Sequence, residues 1–503
     1  MSPLASVEEP VAERSMAVEA RLIRRGVAWN AVGVMVAKGS SILSKIILAR
    51  FLVPEDFGFI SMIVVFTAIA KICADLGFRL SLIQRRCDHR TKVLYDSAFW
   101  LLSGTAVAMI VFMWLAGVPL LVRFYGEPRL GTVALVMSTI VLFQNMQVVP
   151  ESRLARVMRF KQIAFADMSG MITGSAVAIG LAVLGAGVWS LVAQTLVAAA
   201  VTSGVNFVLA AWRPHLRFDR TILGDVGSYS KFIVGSRTLI SIQQNLDYLL
   251  IGKLIGAQAL GVYSIAFLLT ETMRAQAYWL VSKAVFPFYS RAMGRDGDIR
   301  WAYLGTVRYM SVTVFPACMV LILFADHIVP ALFTPRWDGA IAPMQILAAA
   351  SMVIASAGTP GEVLRGIGRP DVDFRINLAV GVFVALPALW SGIHVLGVPG
   401  AALAVLAYYC VSRVAFGLTL RHMIALPTRD LFRALQHAVL GSALMVAVRL
   451  LVGPSHWVIG ILLAALAYVA AIHSLLLPLL QGIRSARPRS PARPLERESA
   501  MPS

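Results

Sequence analysis

The residues best suited to chemistry in this chain are charges set inside apolar runs. Ten bases lie there: Lys38, Lys45, Lys71, Arg79, Arg237, Arg274, Lys283, Arg308, Arg413 and Arg449. Against them stand Asp75, Asp247 and Glu271. An uncompensated charge in hydrocarbon costs about 2.5–3.5 kcal/mol on insertion scales, so such groups face a bundle interior, a wet cavity or one another. Three acids cannot neutralise ten bases. Bases near span ends, such as Lys283 and Arg413, can snorkel to the interface. The central ones need water, a ligand or a shared counter-ion. The chemistry implied is anion binding rather than bond breaking. No GxSxG, Walker loop or HExxH occurs, and no external loop is long enough for a catalytic domain. Hydrolysis and ATP-driven transport therefore lack a basis, and the chain reads as a non-enzyme.

Spacing sharpens the pattern. Lys38 and Lys45 are seven apart and share one face of the first helix. Lys71, Asp75 and Arg79 step by four along the second, either as a self-neutralised structural ladder or as a gating group. Glu271 and Arg274, three apart, allow the same two readings. Arg237 and Arg308 have no partner within their own helices; they neutralise Asp247 across helices or face a cavity. The clusters Gln144, Asn145, Gln147 and Gln243 to Asn245 read as interhelical hydrogen-bonding groups. The segment Glu151 to Lys161 reads as a basic amphipathic helix in an ordinary cytoplasmic loop. The four cysteines form no CxxC pair or Cys/His cluster, so no disulfide framework, metal site or cofactor is expected.

These charges need many helices to position them. The chain has 503 residues, 58% hydrophobic and 14% charged, with mean hydropathy +0.76. Its apolar runs are continuous rather than alternating, which indicates an all-α polytopic membrane protein and not a barrel. Fourteen spans are expected, at about 27–50, 57–84, 94–122, 130–150, 162–186 and 188–211, then 232–252, 257–286, 302–325, 339–359, 376–395 and 397–420, then 431–452 and 456–481. Residues 1–26 form a cytoplasmic tail, 27–211 a first six-helix lobe, and 212–231 a cytoplasmic linker. Residues 232–422 form a second six-helix lobe, 430–481 two extra helices, and 482–503 a disordered tail rich in Arg, Pro and Ser. No cleavable signal peptide is read at the N-terminus.

Net charge is +19, and its distribution explains it without nucleic acid. Most Lys and Arg outside the spans fall in alternate loops: Arg24 and Arg25, Arg85 and Arg86, Arg156 and Arg159, Arg217 and Arg220, Arg291 and Arg295, Arg365 and Arg369, Arg429 and Arg433. The opposite loops hold Arg50, Arg123, Arg129, Lys253 and Arg336. This bias puts both termini in the cytoplasm.

The two lobes echo each other. Residues 48–61, LARFLVPEDFGFIS, align with 251–264, IGKLIGAQALGVYS, at an offset of 203, matching Arg50 to Lys253 and Gly58 to Gly261. Pro150, Leu154, Arg159 and Gly187 match Pro360, Leu364, Arg369 and Gly397 at an offset of 210. Each unit holds an even number of helices, so the repeats are parallel and related by an axis along the membrane normal.

Four pieces carry a resemblance: FLVPEDFGFISM, ADLGFRLSLIQ (74–84), RLARVMRF, and NLDYLLIGKLIGAQALGVYSIAF. They resemble the Wzx-type polysaccharide flippases, the polysaccharide transporter branch of the multidrug/oligosaccharidyl-lipid/polysaccharide exporter superfamily. The resemblance implies two six-helix lobes with two appended helices in the bacterial inner membrane. It implies export of undecaprenyl-diphosphate-linked oligosaccharide by alternating access, coupled to an ion gradient, with a polysaccharide polymerase and a chain-length regulator as partners. Lys38, Lys45, Arg237 and Arg308 are the expected anion contacts. Lys71, Asp75, Arg79, Asp247, Glu271 and Arg274 are candidates for gating or ion coupling. The alternatives are a drug antiporter of the same superfamily, which would need acids at a cation site, and a non-transporting scaffold. A polymerase or ligase would need a catalytic loop that is not here. RRCDHRTK, after the second helix, does not fit the signature of a major-facilitator transporter.

Overall fold

A computed structural model describes residues 39–75, 82, 91–217, 234–235, 237–291, 296–453 and 456–485. Every regular element among them is helical. Helix α1 runs over 39–51, then α2 over Pro54–Asp75, α3 over Val93–Tyr125, α4 over Arg129–Arg156, α5 over Phe160–Val183 and α6 over Val188–Ala210. The second set begins with α7, over 237–244 and Leu246–Leu254. It continues with α8 (Ala257–Arg291), α9 (Asp296–Leu332), α10 (Pro335–Gly366), α11 (Pro370–Leu396) and α12 (Val398–Met423). Helices α13 (Thr428–Val452) and α14 (Trp457–Ser485) follow. Ten helices among the described residues are long and apolar enough to cross a membrane. The first expected span falls partly outside the described residues, as do Lys38, Arg79 and most of the linker. Helices α8 and α9 extend beyond their expected spans, to Arg291 and across Asp296–Leu332.

Local chemistry sets the breaks. Gly187 and Gly397 precede α6 and α12 with φ/ψ of 56°/−133° and 63°/−132°, a region essentially restricted to glycine. The same unusual turn at the same offset shows that the repeat is structural as well as sequential. The expected helix over Glu151 to Lys161 is corrected: α4 stops at Arg156, and Met158 turns the chain with φ 55°. The Arg159 N–H reaches back to the Leu154 carbonyl at 2.9 Å, and Arg369 does the same to Leu364 at 2.8 Å. Both are helix-ending bonds of the Schellman type, which satisfy carbonyls left over in the last turn.

Within each lobe, small residues let backbones approach. Gly170 and Gly174 on α5 lie against Thr202 and Ala198 on α6, with no room for a Cβ. Asn145 donates to the carbonyls of Ala74 at 3.1 Å and Leu102 at 3.0 Å, tying α4 to α2 and α3. Gln243 donates to the Asn377 carbonyl at 2.8 Å and joins α7 to α11. Polar residues thus serve as interhelical ties where lipid offers no partner. Helices α13 and α14 pack on α9. There the Tyr468 hydroxyl donates to the Val312 carbonyl at 3.1 Å, which Pro316, four residues on, cannot satisfy because it has no N–H.

Candidate functional site

The two lobes meet at the end of the bundle that carries the α1–α2 and α7–α8 turns, and they meet symmetrically. A Cβ on Gly58 would lie 1.8 Å from the Ala257 carbonyl oxygen, and one on Gly261 would lie 1.7 Å from that of Pro54. Pro54 and Gly58 correspond to Ala257 and Gly261 at the offset of 203. Helices α2 and α8 therefore cross on the pseudo-two-fold axis with glycine at the crossing on both sides. Residues 48–63 and 251–269 supply much of the buried core around it.

Two cations clasp this end. Arg50 donates from Nε to the Leu332 carbonyl at 3.0 Å and from an Nη to that of Ala331 at 2.8 Å. Its repeat counterpart Lys253 donates to the Phe124 carbonyl and lies over the Phe124 ring. Each cation thus caps the C-terminal turn of the third helix in the opposite lobe, where free carbonyls and the helix dipole favour positive charge. Trp337 completes the clasp, donating to the Ala49 carbonyl at 2.9 Å and meeting the Phe57 ring edge-on at 5.2 Å. The sequence paired Arg50 with Lys253 but held no signal for their carbonyl partners, which belong to distant helix ends.

Toward the other end, a single ion pair between described residues joins the lobes: Arg237 on α7 lies 3.6 Å from Asp75 on α2. The sequence offers Arg237 either Asp247 or a cavity, and offers Asp75 either a ladder along its own helix or a gating role. Arg237 is neutralised by Asp75 rather than Asp247, and the Asp75 carboxylate is not held by its own helix alone. Asp75 is largely shielded while Arg237 remains 44% exposed, so the pair is open to solvent on the guanidinium side.

Asp247 is buried. It accepts from the Tyr263 hydroxyl at 2.7 Å and the Tyr248 backbone N–H at 2.9 Å. Glu271 and Arg274 form a two-pronged pair, 2.9 Å at Nε. Lys45 and Lys71 are half-buried on α1 and α2. Arg308 is exposed on α9 and makes no ion pair among the described residues. Of the expected anion contacts, Lys38 lies outside the described residues, Arg237 pairs with Asp75, and Arg308 makes no ion pair among the described residues. No group of acids, histidines and cysteines among the described residues could hold a metal.

Comparison with known proteins places this geometry. A family described as "Polysaccharide biosynthesis protein" matches residues 47–342. The lipopolysaccharide biosynthesis protein WzxC of Escherichia coli is 23% identical, over 79% of this chain and 82% of its own length. The teichuronic acid biosynthesis protein TuaB of Bacillus subtilis is 23% identical, over 80% and 82%. The succinoglycan biosynthesis transport protein ExoT of Rhizobium meliloti is 24% identical, over 71% and 72%. Among solved structures, the lipid II flippase MurJ in an inward closed conformation superposes with a TM-score of 0.71 at 11% identity, over 90% of this chain and 99% of that one. An inward-facing multidrug transporter of the MATE family gives 0.62 at 17% identity, over 79% and 98%. The fold is the two-lobed transporter fold of these structures, and the chain belongs to the polysaccharide biosynthesis protein family.

Proposed function

We propose that this multi-pass membrane transporter flips lipid-diphosphate-linked oligosaccharide from the cytoplasmic to the extracytoplasmic leaflet, by alternating access of its two lobes. The observation that carries the reading is the excess of membrane-embedded positive charge, with Arg308 unpaired among the described residues and Arg237 only half-shielded. Low-dielectric walls strengthen attraction to an anionic diphosphate. The names of WzxC, TuaB and ExoT support a cargo of polysaccharide precursors, and the likeness to MurJ supports a lobed fold that moves lipid-linked sugars.

The Lys and Arg bias supports an extracytoplasmic position for the clasped end, with Arg50 and Lys253, and so a structure whose lobes are closed outward. Lys38, Lys45, Arg237 and Arg308 are the proposed contacts for the diphosphate. Asp75 with Arg237 is the proposed gating pair, joined on the first lobe by Lys71 and Arg79. Asp247 and the Glu271–Arg274 pair are the proposed coupling groups of the second lobe. A cation-exporting antiporter would need free acids, yet Asp75 and Glu271 each hold an arginine. The test is a strain lacking the protein. Lipid-diphosphate-linked oligosaccharide accumulates on the cytoplasmic side and surface polysaccharide falls. Unchanged surface glycan with increased sensitivity to cationic compounds would replace this reading with the drug antiporter.

A further inference from the structure

The duplicated fold carries different side chains at its two equivalent corners. In the first lobe, the corner between the starts of α2, α4 and α6 holds Phe59, Trp189 and an ion pair of Glu55 with Arg129 at 3.6 Å. The repeat offsets carry these four positions to Val262, Pro399, Gln258 and Gly339. Each replacement shortens a side chain or removes a charge. Where they meet, between the starts of α8, α10 and α12, the second lobe opens a cavity of about 610 Å³. Its wall is aliphatic apart from Gln258 and Asp338. That volume lies within the range of sites that hold a small ligand.

The charge in its lining selects the occupant. Asp338 lines the cavity, is exposed, and forms no ion pair among the described residues. A carboxylate at the rim of an aliphatic cavity matches an amphiphile whose headgroup carries an ammonium. The aliphatic wall lies at the starts of α8, α10 and α12, and α10 and α12 are long and apolar enough to cross a membrane. We infer that this cavity binds an outer-leaflet phospholipid with a primary amine headgroup. Its chain lies against Val262, Ile341 and Val398, and its ammonium sits at Asp338. The like charge of Asp338 disfavours the diphosphate of a cargo lipid, so this is a site for a resident lipid and not a station on the transport path. The leaflet rests on the orientation proposed above; the ligand class rests on the cavity alone.

The full-length protein in detergent, titrated with phosphatidylethanolamine or phosphatidylglycerol and read by native mass spectrometry, decides the matter. The wild type retains one phosphatidylethanolamine in preference to phosphatidylglycerol. Gly339→Leu fills the cavity without backbone strain, since a Cβ there meets Val262 at an ordinary 3.5 Å. It weakens lipid retention roughly tenfold, the worth of a few buried methylenes. Asp338→Asn, at an exposed position, keeps the lipid but lowers the preference for the amine headgroup about threefold to fivefold, as for an exposed ion pair. Equal binding of the two lipids by the wild type, or unchanged binding by both variants, overturns the inference. Should Gly339→Leu fail to fold, the headgroup preference of Asp338→Asn decides alone. Retention of lipid is read on purified protein, so its failure is distinct from any failure of the deletion strain to accumulate cargo.

Discussion

Asp247 and Glu271 show how the membrane interior is made tolerable to acids, by two different devices. Asp247 takes two hydrogen bonds, from Tyr263 and the Tyr248 N–H, whereas Glu271 takes an arginine. Removing one partner leaves the other group buried and unmatched. Tyr263→Phe should lower thermal stability in detergent by about 1–3 kcal/mol, the cost of an unsatisfied buried acceptor. Arg274→Ala should cost about 3 kcal/mol, because it strands Glu271. The double variant Glu271→Gln, Arg274→Gln should recover much of that loss. An Arg274→Ala protein that melts with the wild type would show that the pair is not structural. Arg308 has no partner among the described residues to strand. Arg308→Ala should therefore leave membrane protein levels and melting unchanged while lowering surface polysaccharide. Unchanged export would remove Arg308 from the proposed anion path.

At the scale of elements, the appended helices do more than add mass to the second lobe. Proline at 316 leaves the Val312 carbonyl without its helical partner, and Tyr468 of α14 supplies the missing donor. Tyr468→Phe should cost about 1 kcal/mol of stability. In a Pro316→Ala background, where the helix can close its own bond, the same change should cost almost nothing. A thermal-melting double-mutant cycle checks this coupling; additive losses would sever the two residues. Much at this scale is legible in the sequence. Apolar run lengths locate the helices, and glycines at 187 and 397 mark the starts of α6 and α12. What was not legible is the break at Met158. A methionine at positive φ carries no local signal, and only its alignment with Gly368, φ 80°, hints at a turn. The Tyr468–Val312 bond was equally hidden, because it joins residues that only packing brings together.

At the scale of the whole molecule, the repeat was readable because both copies keep glycine at 58 and 261, but its physical purpose was not. Sequence alignment cannot say that two equivalent residues touch across the axis that relates them. For the same reason the sequence offers Arg237 either Asp247 or a cavity and gives no sign of Asp75. Asp75 lies 162 positions away on the other lobe, and lobe docking, not helix periodicity, sets that contact. The clasp yields a prediction at this scale. Arg50→Ala together with Lys253→Ala should widen the separation of the α1–α2 and α7–α8 turns, read by spin-label distances across the lobes. Each cation gives up only exposed bonds to a helix terminus, worth about 0.3–1 kcal/mol, so the shift is partial and the fold survives. Identical distance distributions in the variant and the wild type would show that the clasp does not hold the lobes.

The glycine crossing has a mechanical consequence. Gly58 and Gly261 form a bare fulcrum, backbone on backbone, with no side chain to compress. From there α2 runs unbroken to Asp75, an arm of about 25 Å at 1.5 Å per residue. A rocking of roughly 10° about that fulcrum carries the far end some 4 Å, on the order of the rigid-body rotations that switch other proteins. The Asp75–Arg237 contact, 3.6 Å long, sits at the tip of this arm. A small tilt at one end of the bundle would thus be geared up to make or break a single contact at the other.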